Sequence, residues 1–254
     1  MGDTLESQGQ GPRITHAWLI DDRRIELYWS DQVFRADDER NFRVTLDGRE
    51  LALVHWRRDM PWDAGCVYQK ETGCTTLALV EPVDVESAER MAVEVTAYGV
   101  AVPLEYRPHY TSFLATRDGI RVKGSKVVQA YSLDLAGKII DVMLEKIPQV
   151  AEKLVERGVE VAVYGLKYDA YDVPEHRMGY VLASRPVEGF GADAEIPVTS
   201  VSEANLIRLR SGRYATRYPN EMVLVHEFAH AIHLAGINFL DDRTLADRVR
   251  ATYE

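Results

Sequence analysis

The feature that most restricts the fold of this chain is a change in hydrophobic periodicity near Pro108. Before this residue, short runs alternate between apolar and polar side chains, and turn residues separate the runs. The clearest runs are 14–20, 24–29, 42–46, 50–54, 75–80 and 91–96, and Asp47-Gly48 is a hairpin-turn signal between two of them. Strands at short, regular intervals predict an all-β sandwich over residues 13–108.

After Pro108 the pattern becomes helical and then mixed. Residues 134–157 predict a long amphipathic helix that Pro148 should kink or split, because its ring removes an amide donor. Gly158 should end the helix, and residues 159–164 predict a buried strand. Residues 165–200 are expected to be mainly loop, and residues 198–209 to contain a strand or a short helix. The expected fold class is therefore multi-domain, with the β-sandwich followed by an α+β domain over residues 111–254.

Charge and hydropathy limit the partners. The chain of 254 residues has a formal net charge of −10, which repels phosphate backbones, so nucleic acid is not expected as a partner. No run of 18 apolar residues predicts a membrane span. Residues 1–12 are polar and Gly-rich, lack the pattern of a signal peptide, and are expected to form a disordered leader. The sequence does not indicate an oligomeric state.

The two cysteines allow two interpretations. Cys66 and Cys74 flank a turn-like segment, so a disulfide could close a hairpin there. Such a bond would favour an oxidising compartment. Two buried free thiols are an equally good interpretation, so the pair does not decide the location of the protein.

One segment has a specific chemical pattern. His226-Glu227-x-x-His230 lies in a predicted helix that Asn220 should cap and Gly236 should close. Its predicted buried stripe consists of Val225, Phe228, Ile232 and Ala235. An H-E-x-x-H pattern is expected by accident only about 0.02 times in a chain of this composition. The alternative is an amphipathic helix whose polar face carries two surface histidines.

The spacing in this motif suits a metal ion. Residues four apart are neighbours on a helix, so the imidazoles of His226 and His230 can converge on one ion. Zinc accepts neutral imidazole and keeps a position open for water. Glu227 can take a proton from the attacking water and pass it to a leaving amine. The predicted function is zinc-dependent hydrolysis of peptide bonds, with a peptide or protein as substrate.

No third zinc ligand is convincing. His233 lies about 10.5 Å along a straight helix from His226, which is too far for one ion, so we expect a solvent-facing or supporting role. Asp241 and Asp242 should form a turn or cap a closing helix, and Glu254 is the last residue. The chain also does not match the metzincin pattern H-E-x-x-H-x-x-G-x-x-H, because Gly236 stands where the third histidine of that pattern should be. The site is therefore expected to be incomplete.

Residues 223–233 resemble the zinc helix of gluzincin metallopeptidases related to the catalytic domain of anthrax lethal factor. They more closely resemble a set of bacterial and fungal secreted proteins that contain H-E-F-A-H-x-I-H, as do residues 172–176 and 197–206. Residues 13–108 resemble the immunoglobulin-like modules that precede catalytic domains in secreted bacterial proteins.

This resemblance implies a zincin-like domain over residues 111–254, bound zinc, and a location outside the cell or at its surface. It also implies a third ligand, a glutamate on a later helix, and a nearby tyrosine that steadies the oxyanion. The chain ends before either, so the domain is expected to lack its C-terminal part. Only His226 and His230 as ligands and Glu227 as base are carried over.

Three further alternatives remain open. The chain could be a catalytically incomplete zinc-binding or protein-binding module derived from a metallopeptidase. It could also use zinc to hydrolyse a different amide, such as one in cell-wall peptides. Asp172-x-Pro-Glu-His176 could be an accessory site that brings Asp172 or Glu175 near the cleft, or a proline-stiffened turn with solvated charges.

Overall fold

A computed structural model describes residues 12–34, 39–54, 71–96, 99–178, 187–194 and 196–252. Within these ranges the protein is mixed α/β, with three β-sheets and five α-helices. The first half is β-rich, as expected, whereas the division into domains stays a prediction. Residues 1–11 of the expected leader lie outside the described residues. None of the described helices is both long enough and apolar enough to span a bilayer.

The first two sheets share one apolar core. One contains β1 (Ile14–Leu19), β2 (Arg24–Phe34), β5 (Glu71–Ala78) and β8 (Glu105–Tyr106), in the order β5-β2-β1-β8. The other contains β3 (Phe42–Leu46), β4 (Arg49–Leu51), β6 (Met91–Val95) and β7 (Ala101–Pro103), in the order β4-β3-β6-β7. Buried residues from both sheets pack into the same cluster, among them Leu19, Leu27, Val44, Leu77 and Val93.

The predicted hairpin turn is confirmed. Asp47 and Gly48 connect β3 to β4, and both have positive φ, at 51° and 77°. These values fit a two-residue turn whose twist matches that of the flanking strands. The cysteine pairing stays a prediction, because Cys74 is buried on β5 whereas Cys66 lies outside the described residues.

The third sheet carries the second half of the chain. It contains β9 (Ser112–Ala115), β10 (Arg121–Gly124), β11 (Glu160–Tyr164), β12 (Gly189–Phe190) and β13 (Val198–Ser202), in the order β12-β13-β11-β10-β9. The three central strands are parallel, and the two edge strands, β12 and β9, are antiparallel to their neighbours.

Two helices connect β10 to β11, and their boundary confirms the predicted effect of proline. α1 (Ala130–Leu144) and α2 (Pro148–Glu156) are separate helices, and Pro148 occupies the first turn of α2. An amide donor is dispensable at that position. Gly158 follows with φ of 68°, which ends α2 as expected. The remaining helices are α3 (Glu203–Leu206), α4 (Val223–His230) and α5 (Thr244–Ala251).

A buried cluster of charges joins the first sheet to the third. Lys123 of β10 is 0% exposed, and its Nζ donates to Glu160 Oε2 and to Glu175 Oε1, each at 2.6 Å. Arg24, at the start of β2, pairs with Glu160 at 2.7 Å and lies 3.6 Å from Glu175. Asp21 Oδ2 lies 3.8 Å from Lys123 Nζ. These contacts hold the two parts of the chain together through opposite charges that are shielded from water.

The structure corrects the expectation of solvated charges at Glu175 and His176, whereas Asp172 is partly exposed. Glu175 and His176 are buried rather than solvated, and Glu175 serves as a partner of Lys123. His176 Nε2 donates to the carbonyl of Val198 at 2.9 Å, and Ser200 Oγ lies 3.1 Å from Nδ1. The segment is therefore an internal brace for the third sheet. Its burial follows from the partners that the other elements supply, which the local sequence does not reveal.

We expect acid to weaken the cluster. Burial alone would raise the pKa of Glu160, but Arg24 and Lys123 outweigh it and lower this pKa from 4.5 to about 2. A depressed carboxyl pKa contributes stability that is complete above the unfolded value and is lost as the pH falls toward the folded one. The free energy of unfolding should therefore drop by about 3 kcal/mol between pH 4.5 and 2 through this residue.

Urea denaturation across this pH range measures the effect. The decline should be shallower in Glu160→Gln, which has no proton to take up at this site. An identical pH dependence in both proteins would contradict the account.

Candidate metal centre

The helix that carries the H-E-x-x-H motif begins later than predicted. α4 starts at Val223, and Asn220 does not cap it. Instead, Asn205 Oδ1 accepts a hydrogen bond from the backbone N–H of Val223 at 2.8 Å. The Asn205 amide also donates to Thr216 Oγ1 and to the carbonyls of Tyr218 and Glu221. A side chain 18 residues upstream therefore fixes both the start of α4 and the loop before it.

The buried stripe of α4 and of the helical turn after it is also shifted from the prediction. Leu224, Phe228, Ala231 and Ala235 are 0% exposed, whereas Val225 is 43% exposed. The steps of four, three and four residues fit one face of a helix as well as the predicted set does. The prediction of Val225 as a core residue is wrong, because α4 packs its Leu224 side against β13 and α1.

The last part of the helix has a different form from the prediction. α4 passes at Ala231 into a π-helical turn, which ends at Gly236 as expected, and Ile237–Phe239 then form a 3-10 turn. A Cβ on Gly236 would lie 2.7 Å from Val150 Cγ1 of α2. Glycine is needed there for close packing between the helices.

The three motif side chains converge. Ligand atoms of His226, Glu227 and His230 all lie within 4.8 Å of one another. The two imidazole centroids are 5.1 Å apart, with an interplanar angle of 79°. Both histidines are exposed, and Glu227 is half-buried between them and the sheet. One turn of helix therefore presents two imidazoles and a carboxylate to solvent on a rigid, well-packed element.

The edge strand β12 lies directly against this group. A Cβ on Gly189 would lie 2.9 Å from Glu227 Cγ, and a Cβ on Gly191 would lie 2.4 Å from His230 Cβ. Only glycine permits so close an approach of a strand to a helix. The Gly191 backbone is also close enough to the Glu227 carboxyl to lower its pKa. Sequence reasoning missed this contact, although two glycines in Gly189-Phe190-Gly191 are a signal for close backbone approach.

The surroundings shift the pKa values of Glu227 and His230 in opposite directions. Burial raises the pKa of the Glu227 carboxyl, and this effect outweighs the opposing influences of His226 and the Gly191 backbone. Burial, together with the charges of His226 and His233, lowers the pKa of His230. A raised carboxyl pKa suits a group that accepts a proton near neutral pH. A lowered imidazole pKa favours the neutral form, which is the form that binds metals.

The other candidate ligands lie elsewhere. Among the described residues, the converging group includes neither His233 nor Asp241. Asp242 Oδ1 accepts a hydrogen bond from Thr244 N at 2.9 Å, so it forms a turn before α5, whose N-cap is Arg243. Glu254 lies outside the described residues.

Substituting Gly191 should disturb the centre through sterics alone. In Gly191→Ala the added methyl group would overlap His230 Cβ and the Glu227 carbonyl, so β12 and α4 must separate. We expect zinc affinity to fall by about tenfold and stability by roughly 1–3 kcal/mol. Isothermal titration with zinc and urea unfolding measure the two effects.

The matched control is Gly137→Ala in α1, where the new Cβ would meet only the flexible Leu114 Cδ2. Equal zinc affinity in wild type and Gly191→Ala would show that β12 does not shape the centre.

Asn205 offers a separate test of how α4 is held. Asn205→Ala removes four hydrogen bonds to buried or half-buried partners, and should cost about 1–3 kcal/mol of stability. Asn205→Asp keeps the acceptor for Val223 N but sets a buried carboxylate against the carbonyl oxygens of Tyr218 and Glu221, so it should cost at least as much stability as Asn205→Ala. Thermal unfolding of the two variants measures the losses. No loss in Asn205→Ala would mean that Asn205 does not hold the start of α4.

Comparisons with known proteins add little to this geometry. No protein-family model matches the chain, and no curated protein matches it. The crystal structure of the S-layer protein rSbsC(31–844) is similar over 42% of this chain and 15% of that chain, with 15% identity and a TM-score of 0.27. The chain spans a small part of that protein, and so low a score does not support a common fold.

Proposed function

We propose that this protein binds zinc through His226 and His230 and hydrolyses peptide bonds with Glu227 as general base. The observation that carries the proposal is the convergence of these three side chains within 4.8 Å on an exposed helix face. Two features support it further. The lowered pKa of His230 favours a neutral ligand, and the raised pKa of Glu227 favours a base that works near neutral pH.

The donor set fits zinc better than the other common divalent ions. Neutral imidazole is a usual zinc ligand, whereas calcium and magnesium prefer oxygen atoms. Zinc, when bound, supplies Lewis-acid activation of water and polarises the carbonyl under attack. His226 and His230 would hold the ion from one turn of α4, and the packing of Phe228 in the core fixes the direction of that turn.

Glu227 has the proton-transfer role. Its carboxylate accepts a proton from the attacking water and later passes it to the amine that leaves. Its carboxylate lies within 4.8 Å of the ligand atoms of both histidines, which is close enough to reach a water molecule that the same ion binds. The products are a carboxylate and a free amine, with one water consumed.

The edge strand supports a peptide as substrate. β12 is an edge strand, and among the described residues no other strand pairs with its free edge. Gly189 of this strand lies against Glu227. An extended peptide can add to such an edge through backbone hydrogen bonds. The third sheet with α4 would then form an α+β zincin-like domain, and the first two sheets an immunoglobulin-like module before it.

A second candidate function is a catalytically incomplete zinc-binding module. The observation that favours it is the small donor set, since structural and catalytic zinc sites usually have three protein ligands or more. In the described part of the chain only two imidazoles and the Glu227 carboxylate converge. Such a module would bind zinc with modest affinity and would not turn over peptides.

Peptide hydrolysis by the zinc-loaded protein separates the two candidates. The protein is incubated with a mixed peptide pool, and mass spectrometry records new termini before chelation with EDTA, after it, and after zinc is restored. We expect cleavage that EDTA removes and zinc restores. Zinc binding without cleavage would favour the incomplete module. Neither binding nor cleavage would contradict both.

A further inference from the structure

A pocket of about 360 Å³ lies at one edge of the third sheet. Ser125 and Gly165, which directly follow β10 and β11, both line it. β10 and β11 are parallel, so the pocket lies beyond the carboxyl ends of two parallel strands, where open α/β sheets commonly bind small ligands. Its volume is also in the range of small-molecule sites. None of the described residues that line it belongs to the candidate metal centre.

Hydrogen bonds and close packing shape the pocket without a ligand. The backbone N–H of Thr111 donates to the carbonyl of Gly124 at 3.0 Å. The backbone N–H of Tyr168 donates to the carbonyl of Gly165 at 3.0 Å. A Cβ on Gly165 would lie 2.7 Å from Val127 Cγ2, so the lack of a side chain lets the loop after β10 approach the loop after β11. The pocket is therefore largely preformed, as small-molecule sites usually are.

Aromatic and aliphatic carbon forms much of the wall. Tyr168 is 49% exposed, and its Cδ2 lies 3.7 Å from the position that a Cβ on Gly165 would take. The Tyr168 ring therefore stands beside Gly165 with much of its surface open to a ligand. Tyr110 also lines the pocket, but its hydroxyl donates to Glu175 at 2.6 Å, so it contributes mainly ring carbon. Val127, which is 47% exposed, adds aliphatic surface.

The polar part of the lining has both signs of charge. Lys126 is exposed and Asp172 is partly exposed, and both line the pocket. The lysine ammonium group only donates hydrogen bonds, and a carboxylate only accepts them. Ser125 and Thr111 add hydroxyl groups that do both. Because the charges of Lys126 and Asp172 cancel, the lining suits a ligand that has no net charge and offers both donors and acceptors.

A phosphate is disfavoured at this edge of the sheet. The N-terminus of a helix that follows a strand is a common phosphate site, and α1 follows β10 here. That helix start already holds a carboxylate, because Glu203 Oε1 accepts hydrogen bonds from Gln129 N at 2.8 Å and from Ser132 Oγ at 2.9 Å. Glu203 is 1% exposed, so salt screens its charge only weakly. Glu203 and Asp172 would both repel an anion in the pocket.

We propose that this pocket binds a neutral sugar ring. Each sugar hydroxyl can donate and accept, so one ring can satisfy both Lys126 and Asp172. The C–H groups on the face of a sugar carry partial positive charge and pack on the negative face of an aromatic ring, which Tyr168 provides. A purely apolar ligand would leave the same polar groups without partners. Sugar binding here requires neither zinc nor peptide hydrolysis.

Ligand titration tests the class of ligand. Saturation-transfer nuclear magnetic resonance on the full chain compares glucose, galactose, mannose, N-acetylglucosamine and cellobiose with AMP as an anionic ring and indole as an apolar one. We expect at least one of the sugars to bind with a Kd of about 1 mM or lower, and AMP and indole to bind about tenfold more weakly. Failure of every sugar to bind below about 10 mM would overturn the proposal. Tighter binding of AMP or indole than of any sugar would overturn it as well.

Variants at exposed positions locate the binding. Tyr168→Ala and Lys126→Met should each weaken the best sugar by about tenfold, because they remove the stacking ring and a charged donor. The matched controls are Tyr131→Ala, where the tyrosine is 62% exposed, and Lys167→Met, which lies in the loop after β11. Neither control residue lines the pocket, so both variants should stay within about twofold of the wild type. Unchanged affinity in both pocket variants, or an equal loss in the controls, would overturn the proposal.

A zinc-free sample separates this pocket from the metal centre. The protein stripped with EDTA should bind the sugar as tightly as the zinc-equilibrated protein does, since the pocket and the converging histidines share no described residue. This result would support the pocket even if peptide hydrolysis fails. Sugar binding that EDTA abolishes and zinc restores would place the sugar at the metal centre and overturn the proposal.

Discussion

Replacing Lys123 with methionine should destabilise the protein by about 3–5 kcal/mol, because the substitution leaves buried carboxylates without their main cation. Lys123 Nζ lies 2.6 Å from both Glu160 and Glu175, and its side chain is 0% exposed. Its Nζ also lies 4.2 Å from the ring centroid of Tyr110. Methionine fills similar space and supplies no charge. Urea denaturation at pH 7 measures the loss.

Two further variants sharpen this prediction. Lys138→Met removes a surface ion pair with Asp134, where the lysine is 69% exposed, and should cost less than about 1 kcal/mol. Adding Glu175→Gln to Lys123→Met removes one of the uncompensated charges and should recover part of the lost stability. A loss in Lys123→Met no larger than that in Lys138→Met would mean that the buried cluster does not hold the two parts of the chain together.

Glu227→Gln should lower peptide turnover by about 10²–10⁴-fold and leave zinc binding nearly unchanged. The amide keeps the shape of the side chain and cannot accept the proton. The measurement is kcat on a peptide that the wild-type protein cleaves, with zinc content determined on the same samples. The matched control is Glu221→Gln, an exposed carboxylate just before α4, which should leave kcat within about twofold.

The outcomes assign the role of Glu227. Normal turnover in Glu227→Gln would exclude it as the base. Loss of both zinc and turnover would instead make the carboxylate a metal ligand, which would complete a three-donor set with His226 and His230.

Much of the fold was predictable because it depends on local patterns. The alternation before Pro108 predicted β1 to β6 but neither β7 nor β8. Asp47-Gly48 predicted the hairpin between β3 and β4, and Pro148 the boundary between α1 and α2. These features need only periodicity, a left-handed turn and a missing amide donor.

What the sequence did not reveal depends on distant partners. Asn205 replaced Asn220 as the residue that holds the start of α4, and Leu224 rather than Val225 faces the core. Glu175 and His176 are buried because Lys123 and Val198 supply their partners. In each case the deciding contact joins residues far apart in the chain, which local spacing cannot indicate.

The candidate metal centre, too, was predictable only in part. The convergence of His226, Glu227 and His230 follows from helical spacing alone, and the structure brings them together. The approach of Gly189 and Gly191 to Glu227 depends on how the third sheet packs against α4. The identity of the metal and the reaction stay predictions.

Zinc content of the purified chain tests whether His226 and His230 bind a zinc ion. The protein is stripped with EDTA, equilibrated with zinc and excess magnesium, desalted, and measured by elemental mass spectrometry beside His226→Ala/His230→Ala and the exposed-histidine control His16→Ala. We expect about one zinc ion per chain in the wild type and in His16→Ala, and almost none in the double variant. Equal zinc in the wild type and the double variant would contradict this expectation.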